Sequence, residues 1–209
     1  MRDLIMMLLV VCFSLVGTAQ QTHDLSPEEI EAFKVQCQER VDAFQMGLEI
    51  IADKQQDNEI KDHYIRTIPE MFMGKGDVWY DRNNTKHDAV KMQVSSVSTG
   101  NVNDVPLKEY LRRLRNLPYT RVSIQKAKTC LISNLYKVND NLYMGTCSFF
   151  QYFSGENGSK EGGNVVYRDF TQKDVDVYIT RVEDGSLGSY WDMKFGDINV
   201  TETKRLPNH

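Results

Sequence analysis

An α+β fold follows from a change of periodicity along the 209-residue chain. Up to residue 72, apolar residues recur at alternating steps of three and four, the signature of amphipathic helices. From Tyr119 onward they alternate in long runs, the signature of strands buried on one face. A short amphipathic segment, residues 106–117, stands between the two regimes. Helices come first and a sheet follows, so the helices must find their packing surface on the sheet.

Residues 4–16 form an apolar run after Arg2, and Gly17 and Ala19 supply the small residues of a signal-peptidase site. Residues 1–19 are therefore expected to be a cleaved export signal, and residues 20–209 a single domain. After cleavage no second long apolar run remains, so no integral membrane segment is expected, and the location is the periplasm or outside the cell. Ser26-Pro27-Glu28-Glu29 is a helix start: Ser26 caps, Pro27 suits the first helical position, and Glu29 completes a capping box. Ile30, Phe33, Cys37, Val41, Phe44, Leu48 and Ile51 then form one stripe of a long helix. Residues 53–58 interrupt it. A second helix follows with Ile60, Tyr64, Ile68 and Met71 or Phe72 on one face and Pro69 near its end.

Residues 78–80 and 89–97 read as strands around a polar loop at 81–88, with Val90, Met92 and Val94 alternating with Lys91, Gln93 and Ser95. Residues 99–104 read as a loop. Leu107, Tyr110, Leu111, Leu114 and Leu117 make the next segment a helix. One strand from about 119 to 138, with a bend, turns at Asn139-Asp140 and pairs with residues 142–153, which sets Ile132 opposite Cys147. Residues 154–164 form a glycine-rich loop. Residues 165–182 form a third long strand, with Val175, Val177 and Ile179 on one face and Asp176 and Tyr178 on the other. After a turn at Asp184-Gly185, residues 190–200 form the last strand, with Trp191, Met193 and Phe195 on one face.

The composition excludes several function classes. A formal net charge of −4 gives no reason to expect nucleic acid. Cys37, Cys130 and Cys147 are odd in number and scattered, which argues against a disulfide framework or a zinc site and for free buried thiols. His23, His63, His87 and His209 show no metal-binding spacing, and no catalytic, metal-ligating or cofactor-binding set emerges. Asp77, Asp81 and Asp88 lack the alternation of a calcium loop and read as turn residues. Residues 73–77 lack the glycine spacing of a phosphate loop. Asp192 and Asp197, around Lys194, read as surface ion pairing. Lys108, Arg112, Arg113, Arg115 and Arg121 form a local basic cluster that reads as the solvated face of an amphipathic helix.

Phe149 and Phe150 are adjacent on a strand and must point to opposite faces. Aromatic bulk is then left on the face the helix does not cover, and Phe149, Phe150 and Tyr152 are assigned as an interaction surface. The expected partner is a second copy of the chain or another cell-envelope protein. Tyr167, Tyr178 and Trp191 are assigned as ligand-binding positions on the sheet.

The element order resembles the cystatin-like, nuclear transport factor two-like superfamily. The wording around VKMQVSSV, PLKEYLRRLRNLPYT and YWDMKFGDINVTETK is similar to a group of exported proteins of gram-negative bacteria without assigned activity. The resemblance implies a cone: a curved antiparallel sheet of about four to six strands wrapped around the long N-terminal helix. A cavity of the kind it implies would take a small hydrophobic molecule, at Tyr167, Tyr178 and Trp191. Some members of the superfamily are isomerases, dehydratases or cyclases, and many only bind or dimerise. No Asp or Tyr of this chain matches the catalytic positions of the enzymatic members. The expectation is a non-catalytic binding or interaction domain; the competing one is a small-molecule lyase or isomerase, or a hydrophobic-ligand carrier, working in the cone.

Overall fold

The computed structural model describes residues 24–95, 101–158, 164–186 and 188–207, the side chains of 128–129 and 164–166 apart. The expected export signal, His23 and His209 lie outside these residues, as do parts of the strand and loop expected at 89–104 and of the loop at 154–164.

Helix α1, Pro27–Ala52, begins as its sequence dictates: Ser26 Oγ accepts from Glu29 N at 3.2 Å, and the Glu29 carboxylate accepts from Ser26 N at 2.8 Å. Helix α2, Asn58–Thr67, is capped by Asp57 and passes into tight 3-10 turns at Ile68–Met71 and Met73–Gly76. Lys61, not Ile60, is buried on α2, while Ile60 is exposed. At Gly47 a β-carbon would stand 3.1 Å from Tyr64 Cδ1 on α2 and 2.7 Å from Ile68 Cδ1 in the turn that follows, so the glycine lets α1 approach both closely.

The strands are β1 (Trp79–Tyr80), β2 (Lys86–His87), β3 (Lys91–Ser95) and β4 (Val102–Pro106), followed by α3 (Leu107–Arg115). Then come β5 (Arg121–Ile132), β6 (Tyr136–Asn139), β7 (Leu142–Asn157), β8 (Asn164–Asp184) and β9 (Gly188–Arg205). A seven-stranded sheet runs β4-β3-β9-β8-β7-β5, with β6 also on β7. It exceeds the expected strand number and is mixed, because β3 lies parallel to β9 while the other pairs are antiparallel.

Two strands appear where loops were expected. Strand β4 contains Asn103 and Asp104, which disfavour strands, but as an edge strand paired only with β3 it tolerates them and Pro106. Strand β2 is two residues long and is held to β1 by the stacking of Trp79 on His87 at 4.0 Å. The expected strand at 119–138 divides into β5 and β6, with register shifts around Lys128. Ile132 does face Cys147. Cys37, Cys130 and Cys147 are free and buried. Cys147 hydrogen-bonds with both other thiols, and burial pushes the Cys130 thiol up to about 12.

Helices α1 and α3 lie on the same face of the sheet. Under α1 the space is filled: Phe44 meets Phe72 and Phe149 edge-on at 5.5 and 6.0 Å, and Phe72 meets Phe195 at 5.6 Å. Helix α3 is held by cations. Lys54 Nζ, just past the end of α1, donates to Arg115 O at 2.9 Å and Leu117 O at 2.8 Å, satisfying carbonyls at the end of α3. Arg115 pairs with Asp62, Lys108 with Asp77 and Arg113 with Glu109, and Arg121 pairs with Glu156. Most of the basic cluster thus anchors or decorates the fold through ion pairs.

Candidate functional site: a cavity under the short helix

Strand β8 shows how the site arises. Its core-facing residues alternate without interruption: Tyr167, Asp169, Thr171, Lys173, Val175, Val177, Ile179. The last three are packed in the core, whereas the first four line a cavity of about 470 Å³. Strand β7 changes character at the same level. Cys147 and Phe149 pack in the core, while Gln151 and Phe153 line the cavity. In register, Gln151 stands opposite Thr171 and Phe153 opposite Asp169. The remaining wall comes from Val94, Ser95, Asn103 and Val105 on β3 and β4, and from Tyr110, Arg113, Leu114, Leu117 and Tyr119 in and after α3.

The floor is polar. Lys173 and Asp169 are only 7% and 8% exposed. Thr171 Oγ1 donates to Asp169 Oδ1 at 3.1 Å, and the Tyr167 hydroxyl also hydrogen-bonds this carboxylate. Burial nevertheless dominates and raises the Asp169 carboxyl above its ordinary range, against the lowering effect of those bonds and of Lys173. Burial brings Lys173 down to about 8, with Asp169 partly opposing it. Its Nζ lies 5.7 Å from the ring centroid of Tyr110, whose hydroxyl is raised by desolvation and by the charge of Asp169. Gln151 Oε1, also buried, has no hydrogen-bond partner among the described residues. Aromatic edges close one side: Phe153 meets Tyr119 at 6.1 Å and Tyr167 at 5.8 Å, with the Arg205 guanidinium 6.0 Å from the Tyr167 centroid. A cavity with apolar walls and a few convergent polar groups of shifted acidity is what small-molecule sites are made of.

The three residues assigned from sequence to ligand binding are not brought together. Tyr167 lines this cavity. Trp191 lines a separate cleft of about 720 Å³ with Phe33, Gln36 and Arg181. That cleft is larger; its Arg181 is bound to Ser189 and Glu183, and Gln36 Oε1 is buried without a hydrogen-bond partner among the described residues. Tyr178 points away from the core, where its ring packs against Gly196, so close that a β-carbon there would stand 2.4 Å from Cε2. The residues assigned to an interaction surface also separate. Phe149 is buried in the core against Phe44 and is unavailable to a partner. Phe150 is buried on the other face, stacked on Phe170 at 6.2 Å, and Tyr152 is 42% exposed.

Asp169, Lys173, Gln151 and Tyr110 were missed as site residues. A signal for the first two was present: stepping back by twos from Val175 puts Lys173, Thr171 and Asp169 on the core-facing side, where charge demands a reason. Among the described residues no cluster of side chains is arranged to hold a metal ion, and no helix is long and apolar enough to cross a membrane.

No family model and no curated protein matches the chain. Among solved structures it is similar to a hexachlorocyclohexane dehydrochlorinase (LinA) type 2, with a TM-score of 0.38 and 12% sequence identity, covering 85% of this chain and 93% of that one.

Proposed function

We propose that this is an exported small-molecule-binding domain of cystatin-like, nuclear transport factor two-like architecture, whose ligand occupies the cavity between α3 and the sheet. One observation carries the reading: Asp169 and Lys173 are buried on the same strand face and open onto an unfilled cavity of about 470 Å³. Burying two ionisable groups costs several kcal/mol unless they are paired, and no contact within salt-bridge distance joins them. Such a cost is sustained where the groups serve a ligand. The same features favour the lyase, isomerase or carrier alternative over macromolecular recognition, because Phe149 is consumed by the core. Export rests on the apolar stretch at residues 4–16.

The test uses 8-anilinonaphthalene-1-sulfonate as a fluorescent probe. It should bind one-to-one, bind at least tenfold more weakly to Thr171→Phe, which fills the floor, and bind unchanged to Tyr152→Ser, on the outer face. Unaltered binding to a folded Thr171→Phe together with loss in Tyr152→Ser would reverse the assignment.

A further inference from the structure

We propose that Lys173 is a nucleophilic amine that captures an aldehyde or ketone in the cavity, first as a carbinolamine and then as an iminium. The inference rests on the small-molecule reading above and names the chemical class of the ligand.

The geometry carries it. Lys173 is buried on the floor of an open cavity. Its Nζ lies 5.7 Å from the Tyr110 ring centroid and within the field of Asp169. Burial there disfavours the ammonium relative to the neutral amine. The groups that face it can be enumerated by element. Strand β8 itself supplies Asp169 and Tyr167; α3 and the residues after it supply Tyr110, Arg113 and Tyr119. The residues of β3, β4 and β7 that line the cavity are Val94, Ser95, Asn103, Val105, Gln151 and Phe153, none of them titratable. Arg113 adds a positive charge, though it is engaged with Glu109. The balance of charge and burial favours loss of the Lys173 proton, and its descent to about 8 agrees.

The atoms can be followed. The Nζ lone pair attacks the carbonyl carbon, forming a C–N bond and opening the C=O π bond. A proton moves from nitrogen to the new alkoxide and gives the carbinolamine. A proton from the cavity solvent passes to the departing hydroxyl. The C–O bond breaks and water leaves. The iminium nitrogen keeps one hydrogen and its positive charge, within the field of Asp169. Amine, carbonyl and proton thus become iminium and water, with no change of oxidation state. Gln151 Oε1, without a hydrogen-bond partner among the described residues, is an acceptor for a hydroxyl or amide N–H on the bound carbonyl compound. The aromatic wall of Tyr119, Phe153 and Tyr167 suits a planar ring.

The experiment is reductive trapping. The full chain is incubated at pH 7 with limiting 4-hydroxybenzaldehyde and cyanoborohydride, which delivers hydride to an iminium, and labelled lysines are located by peptide mapping. Lys173 should be labelled on the order of a hundredfold faster than exposed Lys86, since lowering an amine from 10.5 to about 8 raises its neutral fraction by that order. Lys173→Arg, which retains a cation but cannot form this iminium, should lose the fast label, whereas Tyr152→Ser, on the outer face, should keep both the label and the binding of the naphthalene sulfonate probe. If the aldehyde displaces that probe while Lys173 labels no faster than Lys86, the nucleophile is refuted and the ligand cavity survives. If the aldehyde neither displaces the probe nor labels Lys173, and the probe itself fails to bind, both readings fall. Should Lys173→Arg not fold, mapping on the unsubstituted chain still decides.

Discussion

Under α1, the inner face of β7 and β8 carries Cys147, Phe149, Val175, Val177 and Ile179, all within the core. A few residues along the same strands, under α3, it carries Gln151, Phe153, Asp169, Thr171 and Lys173 around an open cavity. Backbone geometry and pairing continue across both halves. What differs is the cover. Helix α1 has 26 residues, about 39 Å of helix, and helix α3 has 9, about 14 Å. The longer helix can lay a continuous stripe on the sheet. The shorter one presents Leu107, Leu111 and Leu114 and leaves the space beneath its end unfilled. Filling stabilises the first half; the second half retains buried polar groups that a stability optimum would remove.

That contrast can be broken most severely on the packed side. Phe149→Ala removes a fully buried ring in edge contact with Phe44 and should cost about 3–5 kcal/mol in denaturant unfolding. A loss below about 1 kcal/mol would mean the core under α1 is not the stabilising half.

Across the boundary the sign should reverse. Lys173→Met keeps the length of the side chain and removes a buried charge, so stability at pH 7 should rise by about 1–3 kcal/mol, although ligand capture is lost. The pH dependence sharpens this. Folded Lys173 titrates at about 8 and the unfolded chain near 10.5. Between those values the unfolded state holds the extra proton, and the stability of the natural chain should rise with pH from 8 towards 10.5. Lys173→Met should lack that rise. Chemical denaturation at pH 7, 8, 9 and 10 measures both, and a slope identical in the two proteins would remove Lys173 from its buried, strained setting.

The smallest effect concerns the amide. Gln151→Leu deletes an acceptor with no partner among the described residues and should add about 1 kcal/mol. Thermal unfolding of the two proteins side by side reads it, and destabilisation by Gln151→Leu would show that the amide is satisfied in solution.

How much of this could be read beforehand varies with the residue. The capping box at Ser26 and Glu29 and the stripe from Cys37 to Ile51 are local, and the structure has them. Ile132 faces Cys147 as expected, but the hairpin turns at Asp140-Asn141, one residue beyond the expected Asn139-Asp140, and register shifts restore the pairing. Strand β4 escaped because Asn103 and Asp104 read as loop; only its pairing with β3 makes them strand. Tyr178 alternates with Val177 and Ile179, so its outward direction was legible, and an assignment to a cavity went against that alternation. The inward direction of Asp169 and Lys173 was equally legible. That they face empty space was not, because it depends on where α3 ends above them.

The order of helices and strands and the face each strand residue occupies follow from the sequence, since these depend on periods and residue types within a short window. Tertiary structure alone decided that β3 joins β9 in parallel, that Phe149 belongs to the core, and that Asp169 and Lys173 lose their water while keeping a cavity. Desolvation is set by every element that surrounds a group. The shifted amine at Lys173 is therefore a property of the assembled fold, produced by a strand whose alternation was written in the chain and a helix too short to cover it.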